Sequence, residues 1–339
     1  MPATAAESIN LTFITGFPPP VTAIGAFIDA YAPAVNAQLA KTGNYTVNWN
    51  MAHSGQIVKP RGELEGVELG LGDISVVPSV FHADKLPLYE LSFKTPFTTK
   101  NMDLIARTFK MLEGKYSDAF EKGWKAANQV ELFPTGAVDN YFVLSPKPLA
   151  KFEDLKGLKL GAAGPNLPWV TAAGAAGVQT NLADAYNSLS TGIYEGGIFW
   201  AQAAGGFKLC EPAPFIFDTG FGANQAQALT VNTDVFESLP DEVRKALVDN
   251  AEGWHEANVV KLDKGATFGL DRCKKEFNTK VTTMSDADRK TWAFGLGDLA
   301  KDWAKKNDAI GLPATAILTD YMDALRAGGA TPIRNWDKE

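Results

Sequence analysis

Arg61-Gly62-Glu63-Leu64-Glu65-Gly66-Val67-Glu68-Leu69-Gly70-Leu71-Gly72-Asp73-Ile74-Ser75-Val76-Val77 holds the pattern that decides the fold. Pro60 stands where a helix can begin, and Leu64, Val67 and Leu69 give that helix one apolar side. The apolar run 73–77 that follows reads as a strand. Upstream, residues 9–14 (Ile-Asn-Leu-Thr-Phe-Ile) alternate as a strand, and Phe17-Pro18-Pro19-Pro20 breaks the chain, because proline lacks an N–H and restricts its predecessor. Ala23 to Leu39 has helical spacing and is stopped by Gly43, and Thr46 to Trp49 is a second short strand. This β-α-β-α-β rhythm implies parallel strands with helices on their faces.

Downstream the rhythm resumes. Leu104 to Asn128 reads as helical, and Tyr141 to Leu144 is a strand closed by Ser145-Pro146-Lys147-Pro148. Leu158 to Leu160 leads into Gly161-Ala162-Ala163-Gly164-Pro165 and a helix from about Pro168 to Ala176. Ile193 with Gly197-Ile198-Phe199-Trp200 makes another buried strand, and Ala228 to Val231 is strand-like. Pro240 to Phe277 keeps helical character throughout, weakened at Gly253, Gly265 and Gly269. At 1.5 Å per residue such a helix would run ~57 Å, longer than one domain.

The 339 residues are 45% hydrophobic, 21% charged and 11% aromatic, an ordinary globular composition that excludes collagen-like, coiled-coil and disordered classes. Two domains are expected at this length. A net charge of −7 without a Lys/Arg-rich run argues against nucleic acid and anionic membranes as partners. No apolar stretch approaches the ~18 residues that span a bilayer. The start, Met1 to Ser8, is small and polar and lacks a charged segment followed by an apolar one; it reads either as a chain without an export signal or as a processed terminus behind an added Met.

Cys210 and Cys273 with three histidines exclude a zinc site of usual spacing. The two cysteines either pair, if the protein is exported, or lie buried as free thiols, and free thiols are the preferred expectation. G-x-S-x-G and H-E-x-x-H are absent, His53, His82 and His255 are scattered, and Gly161 to Gly164 lacks the G-K-[ST] of a phosphate loop. No metal and no cofactor is expected. An enzyme, in the form of a two-lobed α/β hydrolase or transferase, is the runner-up to a binding protein.

Four stretches resemble, in register, the periplasmic solute-binding proteins of TRAP transporters, the DctP-like family. Ser54-Gly55-Gln56-Ile57 with Arg61 to Ile74 is similar to G-Q-L-G…R-x-L-L-E-x-V-Q-x-G-x-x-D-I, and Phe152-Glu153-Asp154-Leu155-Lys156-Gly157-Leu158-Lys159 to F-x-D-L-K-G-L-K. Leu189-Ser190-Thr191-Gly192-Ile193-Tyr194-Glu195-Gly196 is similar to L-Q-T-G-x-x-D-G, and Val231-Asn232 through Leu239-Pro240 to the pattern before the long helix. The resemblance implies an α/β, two-lobed periplasmic-binding-protein-like fold with a ligand cleft between lobes and a long shared helix. It implies a periplasmic receptor, its signal peptide already removed, that hands one small-molecule ligand to sodium-coupled TRAP permease subunits. The lobes are expected at 1–138 with 222–264 and at 139–221 with 265–339, sharing the helix of about 240–277, in a chain that acts as a monomer.

The family usually holds carboxylates with an arginine after D-L-K-G-L-K and often with a second in a G-F-R pattern. Here those positions are Gly161 and Phe142. A carboxylate closed in without its partner costs about 3–5 kcal/mol, so simple carboxylates are disfavoured. Arg61 or Arg107 could substitute, but both fall on segments that read as helix surface. The residues expected near the ligand are aromatic: Phe17 after the first strand, Phe81 after the third, Tyr141 and Phe142, Trp169, Phe199 and Trp200. Aromatic faces closed off from water attract cations by ~2 kcal/mol or more per contact. With one acid from Glu195, Asp139 or Asp218, the site suits an amine, an amino alcohol or a quaternary ammonium. The alternatives are a neutral aromatic solute, or an organic acid held by a non-standard arginine. The aromatics also suit lobe cores, and Glu195 a structural role.

Overall fold

Eleven strands form two sheets in the computed structural model, which describes residues 6–339; residues 1–5, the start of the polar lead, lie outside them. The strands are β1 (Glu7–Ile14), β2 (Tyr45–Ala52), β3 (Ile74–Val77), β4 (Gln129–Val138), β5 (Tyr141–Ser145), β6 (Lys159–Ala162), β7 (Ala176–Gln179), β8 (Gly197–Trp200), β9 (Phe215–Asp218), β10 (Asn224–Asn232) and β11 (Lys280–Thr283).

The first sheet has the order β2-β1-β3-β10-β4, and the second β11-β9-β5-β8-β6-β7. The expected parallel rhythm holds for β2, β1 and β3. It fails at β10, antiparallel to β3, and at β5, antiparallel to both β8 and β9. Every residue of β5 and β10 is buried, as in strands covered on both faces, so their sequences carry no alternation to reveal direction.

The chain divides into two units. One comprises the residues up to Tyr89, Phe109–Ala137 and Ala226–Lys261; the other comprises Glu90–Thr108, Val138–Gln225 and Leu262–Glu339. The sequence boundaries differ chiefly in assigning Glu90–Thr108 to the first lobe. That segment carries Phe93 and Phe97, whose rings pack with Trp169, Phe221 and Trp292 of the second unit. In the first unit, Phe13 stacks on Phe27 at 3.9 Å in a core that includes Tyr31, Val35, Leu39 and Trp254.

The expected helix of 240–277 is two helices, Asp241–Asp249 and Ala251–Phe277, broken at Asn250. Two of the glycines that weaken it on paper, Gly265 and Gly269, have a packing reason, whereas a Cβ at Gly253 would meet nothing. A Cβ on Gly269 would lie 2.1 Å from the Ala201 carbonyl oxygen, and one on Gly205 would lie 2.2 Å from the Gly269 Cα. The helix Ala201–Gly206 therefore approaches closer than side chains would allow. Among the described residues no helix is long and apolar enough to cross a membrane.

Two expectations are corrected in the second unit. Cys210 and Cys273 are not free thiols but a disulfide, with Cα atoms 5.5 Å apart in a core built around Phe142, Leu144 and Phe199. Their 63-residue separation hides the pairing, because the fold alone brings the two elements together. Ile193 is not part of a strand; it is exposed in the turn ahead of β8.

Candidate ligand-binding site

Because β2, β1 and β3 run parallel, their C-terminal ends lie on one edge of the first sheet, the edge at which open α/β sheets take ligands. Phe17 follows β1, Arg61 follows β2 and Phe81 follows β3. All three side chains are half-buried. The first two segments are tied by backbone hydrogen bonds: Thr15 N to Ala52 O (3.0 Å), Ser54 N to Phe17 O (3.0 Å) and Gly55 N to Thr15 O (3.3 Å). Gly16 is required there, since a Cβ would fall 2.1 Å from the nitrogen of Pro60.

Arg61 is not on the helix surface. It sits in the turn before the helix Glu63–Glu68, with φ at +79°, and its guanidinium carbon lies 4.4 Å from the centre of the Phe81 ring. A non-glycine residue held left-handed costs on the order of 1 kcal/mol and persists only where its surroundings impose it. Glu63 supplies much of that frame. Its carboxylate is fully buried and accepts from the Gly16 amide (2.8 Å) and the Thr15 hydroxyl (3.3 Å). Burial pushes the Glu63 pKa up, opposed by the amides of Gly16, Glu63 and Arg61 and by the Thr15 hydroxyl. Lys59, exposed on the same turn, adds a second cation. Arg107, the other candidate, lies on the helix Met102–Lys115 with Nε 3.0 Å from both Asp103 carboxylate oxygens.

The second unit treats its predicted aromatics differently. Trp169 is fully buried; its ring stacks against Phe221 at 4.6 Å and Phe93 at 6.1 Å, and meets Tyr141 edge-on at 5.7 Å. Its Nε1 donates to Phe93 O at 2.9 Å. No ring face is left for a cation. Phe199 stands opposite Phe142 in the β5–β8 register, and both belong to the core around the disulfide. Tyr141 and Trp200 are paired on the other face of that register, with ring centres 5.8 Å apart. Tyr141 is buried, whereas Trp200 is half-buried and donates Nε1 to the Gln202 side chain at 3.3 Å. Phe93, Phe221 and Trp292, which complete this cluster, escape sequence reading because no periodicity joins residues so far apart.

Two of the three acids proposed to balance a cation are committed elsewhere, whereas Asp139 keeps one buried carboxylate oxygen without a hydrogen-bond partner. Asp218 accepts from Asn140 Nδ2 (2.9 Å) and Gly220 N (3.2 Å), with Lys100 at 3.6 Å. Glu195 is solvated, accepts from Lys159 N at 3.2 Å and lies 4.0 Å from Lys147. Burial raises the Asp139 pKa and so favours its neutral form. The positions at which the family resemblance implies arginine are closed as well. A Cβ on Gly161 would lie 2.7 Å from the Tyr194 ring, and Phe142 is core. Among the described residues no group of three or more His, Cys, Asp or Glu could hold a metal.

The model of the bacterial extracellular solute-binding proteins, family 7 (DctP), matches residues 32–307. No curated protein matches the sequence. Among solved structures, a TRAP periplasmic solute binding protein from Desulfovibrio salexigens is 22% identical, with 95% of this chain and 97% of that one covered and a TM-score of 0.78. A marine metagenome TRAP protein from an unidentified microbe, specific for aromatic acid ligands and crystallised with 3-hydroxybenzoate, is 20% identical, with 95% and 99% covered and a TM-score of 0.79. A Rhodoferax ferrireducens TRAP protein with copurified benzoate is 16% identical, with 95% and 98% covered and a TM-score of 0.81. At these identities the likeness is one of fold.

Proposed function

The chain belongs to the bacterial extracellular solute-binding proteins of family 7, and from that premise we propose that it is a TRAP receptor for an organic acid with an apolar body, whose carboxylate is held by Arg61. Receptors of this kind are periplasmic, bind small molecules and work with membrane permease subunits; this one acts as a monomer. The observation that carries the ligand class is the Arg61 guanidinium over Phe81 at the strand-end edge. A guanidinium offers a carboxylate two parallel charge-assisted hydrogen bonds, and a ring beneath it keeps it oriented. Half-buried Phe81 beneath it, with half-buried Phe17 on the neighbouring segment after β1, suits an aromatic or alicyclic body better than a short dicarboxylate. The fold relatives bind benzoate and 3-hydroxybenzoate, which supports the same class. For an organic cation, Asp218 and Glu195 are already engaged and Trp169 offers no open face, which leaves Asp139, whose burial favours the neutral form.

Benzoate, 3-hydroxybenzoate, choline and n-butylammonium, compared by thermal shift and calorimetry, test this. The carboxylates should raise the melting temperature by mass action and the ammonium compounds should not. Arg61→Ala should weaken benzoate about 100-fold, the scale of one desolvated charge pair at about 2.7 kcal/mol, while Arg107→Ala stays within twofold. Stabilisation by the ammonium compounds alone, or an unchanged affinity in Arg61→Ala, overturns the reading.

A further inference from the structure

We propose that Glu63 is the positioning residue for Arg61: its buried carboxylate locks the segments after β1 and β2 into one frame that holds the guanidinium over Phe81. The proposal rests on the reading of Arg61 as the carboxylate anchor and extends it to a residue that touches no ligand.

Three observations converge on it. Glu63 is fully buried, yet among the described residues no lysine or arginine ion pair reaches it; its Oε1 accepts from both the Gly16 amide and the Thr15 hydroxyl. A buried carboxylate with one oxygen bonded by backbone and hydroxyl donors and the other, Oε2, without a partner is costly to keep, and an apolar residue at this first turn of a helix would bury more cheaply. Second, the donors lie 47 and 48 residues away in sequence, on the segment leaving β1, while Glu63 lies just after the segment leaving β2. One side chain thus spans two strand-end loops. Gly16 packs directly on the Lys59–Pro60 backbone, with 2.3 Å from a would-be Cβ to the Lys59 carbonyl carbon, so a shift of one loop displaces the other. Third, Arg61, two residues before Glu63, is left-handed, and its amide is among the groups that act on the Glu63 carboxyl. Without that acceptor the turn is free to relax toward the right-handed region that arginine prefers, which would swing the guanidinium away from Phe81.

The contrast with neighbouring acids sharpens the assignment. Glu65 and Glu68, on the same helix, pair with Lys85 at 3.2 and 3.1 Å and remain solvated, the ordinary behaviour of surface glutamates. Glu63 alone of the three turns inward.

The test uses the full chain, with benzoate as the probe and the Arg61 Nε–Hε NMR signal, assigned through Arg61→Lys, as a readout that needs no ligand. That signal should carry a ring-current shift from Phe81 in the parent. Glu63→Gln, which keeps an oxygen acceptor of the same reach, should preserve the shift and hold benzoate affinity within threefold. Glu63→Ala should lose the shift and weaken benzoate at least tenfold. Arg61→Ala/Glu63→Ala should bind no more weakly than Arg61→Ala alone, since a residue acting only through Arg61 has nothing left to act on. If Glu63→Ala does not fold, Glu63→Asp, one methylene too short to hold both loops, replaces it with the same expectations.

A retained ring-current shift in the short or truncated variant overturns the proposal, as does an affinity loss that adds fully to that of Arg61→Ala. Failure of the ligand reading looks different: Arg61→Ala would leave benzoate binding unchanged while the NMR signal still reported whether Glu63 sets the Arg61 side chain.

Discussion

In the second unit Trp169 is fully buried, stacks against Phe93 and Phe221 and gives its Nε1 proton to a backbone carbonyl, whereas in the first unit Phe17 and Phe81 stay half-buried at the ends of parallel strands, one of them beneath a guanidinium. Both sets are aromatic residues placed just beyond strands, and sequence cannot tell them apart. What separates them is whether the ring has a free face and whether the polar group beside it is already satisfied. A ring enclosed on both sides contributes packing energy, while a ring enclosed on one side and carrying a cation on the other can contribute recognition.

Substitution should split the two sets by observable. Trp169→Ala should lower stability by about 4 kcal/mol in urea titration, the cost of a large aromatic cavity in a packed cluster. Phe81→Ala should stay within about 1 kcal/mol of the parent in stability and weaken benzoate several-fold, the scale of one partly exposed cation–π contact. If Phe81→Ala is the more destabilising of the two, the distinction collapses. The second unit carries another internal brace in Cys210–Cys273, which closes a loop of 63 residues. Chain-entropy arithmetic puts its contribution at about 4 kcal/mol as an upper value. Cys210→Ala/Cys273→Ala should therefore lower the melting temperature with little change in benzoate affinity, and thiol labelling of the denatured, unreduced chain should find no free thiol. Two labels would restore the free-thiol expectation.

How far the sequence carries the reader follows from the same physics. The β-α-β-α-β rhythm over residues 9–77 is local, so periodicity and breakers reveal it, and the four motifs name the family without the fold. The break at Asn250 and the antiparallel β5 and β10 escape, because fully buried strands and weakly interrupted helices carry no distinguishing pattern. The disulfide and the assignment of Glu90–Thr108 depend on contacts far apart in sequence. At the site, the loss of arginine at Gly161 and Phe142 is legible, but its consequence is not. The Tyr194 ring fills the space at Gly161, and Arg61, the substitute we propose, becomes visible only once its left-handed turn places it over Phe81.

The first unit has an enclosed aromatic cluster too, and it shows a second way of satisfying buried polar groups. Tyr89 packs against Phe109, Phe120 and Trp124, accepts from Trp124 Nε1 at 2.8 Å, and donates toward Glu131 and Glu113. In the second unit the corresponding indole donors go to backbone carbonyls, Trp169 to Phe93 O and Trp292 to Trp169 O, which do not titrate. Glu113 and Glu131 do titrate. Burial raises both pKa values, and the Glu131 charge adds to the rise at Glu113. The folded chain therefore keeps protons that the unfolded chain releases in the ordinary carboxylate range, so stability is full below that range and falls as pH climbs through the raised values. Glu113→Gln keeps a donor for Glu131 and removes one titration. Its stability should match the parent within about 0.5 kcal/mol at pH 4 and exceed it increasingly as pH rises above the ordinary carboxylate range, as read by urea titration across pH. Equal slopes for the two proteins would mean that the first unit's cluster is as indifferent to protons as the second's.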